Sequence, residues 1–190
     1  EAVRGGKIGR VVWAHVFVGV DLKIDELRNA WPLHWSYTLP GGVLHNYITH
    51  PLYMLCSVLD GPFRADIVAR SSGAQPQNTT DQLDVQITGK NANGTLILAS
   101  TEAEAYYLCV RGTRGTVSAD FTTHTFVSDV PSAGPRAMSR LCANPRLALQ
   151  LLRETAALVW GGARRKLVPY QGLRCLLEQY YASIRGGPPP

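Results

Sequence analysis

Asn46 and His50 stand four residues apart in the stretch PGGVLHNYITHPLYMLCSVLDG, Pro40 to Gly61. On an α-helix, residues i and i+4 share a face, and Tyr53 and Ser57 continue along about the same side. That face carries an amide, an imidazole, a phenol and a hydroxyl. Imidazole is the side chain best poised to move a proton near neutral pH. An amide one turn away fixes a hydroxyl group by hydrogen bonds without adding charge. The chemistry open to such a face is proton transfer at a small hydroxylated molecule. A solvated polar face with a lone histidine has the same spacing, and periodicity does not separate the two. His45 lies about 100° around the helix from Asn46 and points elsewhere.

The elements that must carry this face are legible. Residues 42–59 read as one helix, because Leu44, Ile48, Leu52, Leu55 and Leu59 recur at intervals of three and four and form an apolar stripe. Gly61-Pro62 stops it. Ahead of it, 9–19 is rich in β-branched and aromatic residues and reads as a strand. Residues 20–40 read as a long loop with one helical turn near DELRNA. Strands follow at 63–71, 81–89, 94–102, 104–111, 115–120 and 123–128. Asn93-Gly94 and the RGTRGT segment mark tight turns. Leu83, Val85 and Ile87 share one face of their strand, and Gln82, Asp84 and Gln86 the other. Strands joined by short turns pair antiparallel.

The last third returns to helix. NPRLALQLLRETAALVW has Asn144 as a cap, Pro145 at the first helical position and Gly161-Gly162 as a stop. YQGLRCLLEQYYASIRGG repeats the pattern with Leu173, Leu176, Leu177, Tyr180 and Ile184. The order predicts an α+β fold, a large, mostly antiparallel open sheet with helices on one face. The strand-to-helix junctions carry no glycine-rich phosphate loop, which argues against a dinucleotide-binding unit within this chain.

The composition fits one soluble globular domain of 190 residues, 45% hydrophobic and 17% charged. No run is long and apolar enough to span a bilayer. The formal charge is +5. It is scattered, and Arg164-Arg165-Lys166 sits where a helix should end and would compensate its dipole, so no nucleic-acid partner is expected. Cysteines 56, 109, 142 and 175 lack metal spacing and read as buried, reduced core thiols of a cytoplasmic protein. The sequons at Asn78 and Asn93 read as chance. His15 should be a partly buried structural histidine beside Trp13 and Phe17, and His124 carries no signal. No metal site is expected. The opening EAVRGGKIGR lacks a methionine and is no signal peptide, which reads as a fragment of a longer polypeptide.

Four segments in order, GKIGRVV, GGVLHNYITHPLYML, VRGTRGTVSADF and IRGGPPP, resemble the C-terminal half of the Gfo/Idh/MocA oxidoreductases, relatives of glucose–fructose oxidoreductase and inositol dehydrogenase. The resemblance covers essentially the whole chain. Its most specific element is the Gly-Gly helix start, an acidic or amide residue, and a histidine four positions later.

The resemblance implies a C-terminal substrate-binding and oligomerisation domain over 1–190. An N-terminal Rossmann domain, absent from this chain, would hold NAD or NADP and supply a lysine. It implies that the whole protein is an NAD(P)-dependent dehydrogenase of a sugar or cyclitol, and that this chain alone is inactive. His50 matches the residue that takes the substrate hydroxyl proton. Asn46 stands where many members have aspartate, and it cannot raise the basicity of His50 as a carboxylate would. The loop before the helix runs along the cleft in that family, so Trp35, Tyr37 and Tyr53 join the substrate-binding candidates. For Trp35 and Tyr37 a packing role is an equal alternative, as for His34, and Trp31 reads as a packing anchor. A homodimer or homotetramer through the sheet face is implied, with apolar residues expected on both faces of 81–89 and 94–102. Two other readings stand beside this one. They are a non-catalytic binding or assembly module of the same fold, and a branch that uses bound NAD to hydrolyse glycosides.

Overall fold

The computed structural model describes residues 3, 5–73, 75, 79–100, 103–130, 136–164, 178 and 181–185. Two compact units are distinguished, Glu1–Leu151 and Leu152–Pro190. The first holds strands β1 (Val11–Gly19), β2 (Arg64–Arg70), β3 (Gln82–Thr88), β4 (Asn93–Ala99), β5 (Ala105–Gly112), β6 (Thr116–Asp120) and β7 (Thr125–Asp129). Among the described residues these form one seven-stranded sheet in the order β2-β3-β4-β1-β5-β6-β7. All pairs are antiparallel except β1 with β4, which run parallel with Val16 opposite Leu96. The hairpin between β3 and β4 turns at 89–92, where the Gly89 N–H donates to the Ala92 carbonyl at 3.0 Å; Asn93 and Gly94, expected in the turn, instead pair with Thr88 and Ile87 inside β4. The parallel pair does not follow from any local turn, because β1 enters the sheet from far away in sequence.

Helices α1 (Leu22–Asn29), α2 (Gly42–Tyr47) and α3 (Thr49–Val58) belong to this unit, and a 3-10 turn covers Trp35–Thr38. The helices pack on one face of the sheet. Their Leu22, Val43, Leu44, Leu55 and Leu59 join Ala14, Val16, Val18, Leu83, Val85, Ile87, Leu96, Leu98, Val110 and Val117 in one core. Each fully buried Val, Leu or Ile side chain here contributes about 1.5–3 kcal/mol. The layers touch closely at Gly94, where an added Cβ would lie 2.7 Å from Leu59 Cδ1.

Several local expectations are corrected. The helix expected over 42–59 is two helices meeting at Ile48. Pro51 has no N–H for the carbonyl of Tyr47, so the ladder breaks there. The buried stripe runs through Leu44, Pro51, Leu55 and Leu59, and Leu52 is exposed. In place of a single turn, α1 has two turns, started by Asp21 accepting from the Lys23 N–H at 3.1 Å. Asn144 and Pro145 do not begin a helix. They lie inside α4 (Arg136–Ala163), since the preceding residues include good helix formers. Gly161 and Gly162 also lie inside it, and Arg164 beyond them rests on the Trp160 ring at 4.3 Å. Most of the helix expected over 170–187 falls outside the described residues. Cys56 and Cys109 are half-buried and Cys142 is exposed, so these three free thiols are not core residues. Cys109 points to the outer sheet face by alternation, opposite His15. Cys175 lies outside the described residues.

The outer sheet face is apolar only at its centre. Phe17, Ile97 and Tyr107 stand in register there across β1, β4 and β5, and Trp13 lies four residues earlier on the same side of β1, opposite Asn93 and Arg111. The outer side of β3 is polar, with Gln82, Asp84, Gln86 and Thr88, which corrects the expectation of an apolar second face on that strand. At the β7 edge, Gln150 of α4 imitates a neighbouring strand. Its Oε1 accepts from the Ser128 N–H at 2.8 Å and its Nε2 donates to the Ser128 carbonyl at 3.0 Å. No helix among the described residues is long and apolar enough to cross a membrane.

Candidate functional site

The turn Gly41-Gly42 starts α2. Gly42 has φ +59°, a conformation that favours glycine, and the helix follows at once. This start and the packing of Leu44 and Leu55 fix the rotation of the helix pair. His50 and Tyr53 are thereby turned away from the core, with ring centroids 5.9 Å apart and an edge-on angle of 76°. Asn46 is half-buried one turn earlier.

His50 lines a cavity of about 230 Å³. Its floor is the end of β1, Val18 to Val20, and its walls are one face of α1 (Asp21, Ile24, Arg28), Tyr47 and Pro51, and Glu104 to Tyr106 at the start of β5. The position follows from topology. Strand β1 lies between β4 and β5, so its C-terminal end opens under both α1 and the α2–α3 junction.

Tyr106 is the residue that sequence reasoning missed. It faces the helices, pairs with Val18 across the sheet, and lies 3.0 Å from Met54 Sδ through its hydroxyl. Burial first, and then the neighbouring Tyr53, push its pKa up to about 12, so the phenol keeps its proton and remains a donor. Its only sequence signal was alternation in a strand, which many tyrosines share.

The other sequence candidates separate. Tyr53 stands beside His50 and influences Tyr106. Of the candidates, only His50 lines the cavity; Asn46, Tyr53, Trp35 and Tyr37 do not. Tyr37 is 8% exposed and belongs to the core; burial raises its pKa, with the Glu26 carboxylate adding and a hydrogen bond with Gln75 opposing. Trp35 is exposed and stacks on His34, with centroids 5.5 Å apart. His34 is buried and caps the 3-10 turn, its Nδ1 accepting from the Ser36 N–H at 3.2 Å. His15 is half-buried and stacks on Trp13 with centroids 5.4 Å apart, and its pKa is lowered by burial.

No group of three His, Cys, Asp or Glu side chains able to hold a metal occurs among the described residues. The junction from β1 to α1 does not suit a dinucleotide. Asp21 already occupies the start of α1, and its negative charge opposes a pyrophosphate.

The comparisons agree with this architecture. Residues 1–118 match the family model described as GFO/IDH/MocA C-terminal domain. No curated protein matches the chain. Among solved structures, levoglucosan dehydrogenase in complex with NADH and levoglucosan is similar at a TM-score of 0.56 and 19% identity, covering 70% of this chain and 39% of that one. An oxidoreductase from Agrobacterium radiobacter, in complex with NAD+, L-tartaric acid and magnesium, gives 0.53 and 15%, covering 68% and 38%. A 3-ketoreductase from Actinomadura kijaniata, in complex with NADP, gives 0.51 and 13%, covering 70% and 39%. At these identities the likeness shows the fold. The chain spans well under half the length of these solved relatives.

Proposed function

The chain belongs to the GFO/IDH/MocA C-terminal domain family, and from that premise we propose that it is the substrate-side part of an NAD(P)-linked oxidoreductase acting on a secondary alcohol of a sugar or cyclitol. The observation that carries the reading is the placement of His50 on a cavity at the end of β1, beside Tyr47 and Tyr106. The bound nicotinamide dinucleotide supplies the hydride acceptor in such oxidoreductases. The β1–α1 junction does not fit that group, so its binding falls to a separate nucleotide-binding domain of the whole protein.

The residues of this chain divide the remaining work. His50 Nδ1 or Nε2 takes the proton of the substrate hydroxyl. Asn46, one turn earlier and outside the cavity's lining, would reach through its amide only a part of the sugar that extends beyond the cavity, and it adds no charge. Tyr53 holds the imidazole edge-on, and Tyr106 donates to a substrate oxygen, since the thioether of Met54 is a weak competing acceptor. A cavity of about 230 Å³ is below the roughly 300 Å³ at which ligand pockets usually begin. A further wall from the nucleotide-binding domain would complete it. Two copies would pair through the centre of the outer sheet face, where Trp13 is 36% exposed and Tyr107 37%.

The test is made on the full-length protein that contains this chain. His50→Ala should lower kcat about 10²–10⁴-fold, with NAD(P)H formation from polyols as the readout. The 190-residue chain alone should form none. Unchanged turnover in the His50 variant would overturn the assignment. Polyol binding without NAD(P)H formation would favour the non-catalytic module.

A further inference from the structure

We propose that the open groove between α1 and Trp31 is a saccharide-binding site separate from the cavity at His50. It does not rest on the oxidoreductase reading. Helix α1 presents two faces. Asp21, Ile24 and Arg28 line the His50 cavity, whereas Lys23, Glu26, Leu27 and Ala30, with Trp31 and Pro32, line a groove of about 640 Å³. The two sets share no residue, because spacings of three and four place each on its own side of the helix. The groove is within the range of about 300–1,000 Å³ usual for small-molecule sites.

Its aromatic wall is held in advance. Ala30 ends α1 in the left-handed region at φ 52°, and the Trp31 N–H donates to the Glu26 carbonyl at 3.0 Å. The indole meets the edge of His34 at 5.3 Å and 66°, and Ser36 Oγ lies 2.6 Å from His34 Nδ1. Yet Trp31 remains 40% exposed and Leu27 82% exposed, more than an anchor for its own loop requires. Little ordering is left to be done on binding.

The polar wall selects the ligand. Glu26 uses Oε1 to accept from the His34 N–H at 2.8 Å, and a carboxylate has a second oxygen to offer. Lys23 makes no ion pair among the described residues. A net-neutral pair of strong donor and strong acceptor thus flanks an exposed indole. A simple anion or cation is drawn by one of these charges and opposed by the other, so charge alone does not select it, and a wholly apolar ligand gives neither group a partner. A sugar ring serves all three walls. Its hydroxyls both donate and accept, and its slightly positive C–H face packs on the negative face of the indole.

The experiment titrates the 190-residue chain with glucose, maltose and cellobiose, followed by saturation-transfer NMR and tryptophan fluorescence. Saturable binding of at least one sugar is expected. Lys23→Ala and Trp31→Ala should each weaken it about tenfold, and Arg64→Ala, exposed on β2 and outside both linings, should leave it unchanged. The Lys23 side chain is exposed and makes no ion pair among the described residues, so its variant tests the site even if Trp31→Ala fails to fold. Absence of binding by all three sugars would overturn the proposal, as would equal binding by wild type and Lys23→Ala. Loss on His50→Ala alone would place the sugar in the other cavity and also overturn it.

Discussion

Strand β1 sends Ala14, Val16 and Val18 to one side of the sheet and Trp13, His15 and Phe17 to the other. The first set is buried under α2 and α3. The second set is larger and richer in aromatics, yet it is half-buried or exposed. Side-chain hydrophobicity does not set this difference. The helices cover one face only, and the smaller residues are those that let them approach. The inner face therefore holds the fold together and carries the helix pair of His50, while α1, α2 and α3 leave the outer face uncovered.

The comparison can be broken most strongly from inside. Leu96 is fully buried, and Leu96→Ala should destabilise the chain by about 2–5 kcal/mol in denaturant unfolding. Its outer neighbour Ile97→Ala should cost less than about 1.5 kcal/mol in the monomer, since that side chain leaves no closed cavity. Equal losses at the two positions would mean that the outer face is as tightly packed as the inner one.

A smaller effect is expected at the sheet edge. Gln150→Ala should cost about 1 kcal/mol and increase concentration-dependent aggregation, measured by light scattering, because it uncovers the Ser128 peptide groups. Gln150→Glu would keep the acceptor and lose the donor, and should lie between the two.

The smallest expected effect is acidic. His15 is lowered from its ordinary 6.5 by burial, so the folded state prefers the neutral ring. The unfolded chain binds the proton first, and stability is lost as pH falls below 6.5 toward the lowered value. His15→Phe should remove that part of the pH dependence while keeping the stack on Trp13. An unchanged acid limb of the melting temperature against pH would assign it to other groups.

The strands were legible because alternation and turn residues are local. The helix carrying His50 was legible for the same reason, apart from the break that Pro51 imposes. The Asn144-Pro145 cap misled because a cap-like pair can lie inside a helix when its upstream flank is also helix-forming. Leu52 misled because the real stripe passes through Pro51, whose apolar ring a pattern of leucines hides.

The sequence by itself determined the α+β class, the helical segment that carries Asn46, His50 and Tyr53, and the family resemblance. Periodicities of two and of three to four residues act over a few neighbours, so they survive without a partner. Only the tertiary structure decided that β1 enters between β4 and β5. That insertion brings Tyr106 and α1 to His50, and it leaves Tyr37 in the core. It depends on contacts between residues nearly a hundred positions apart, and no local pattern encodes them.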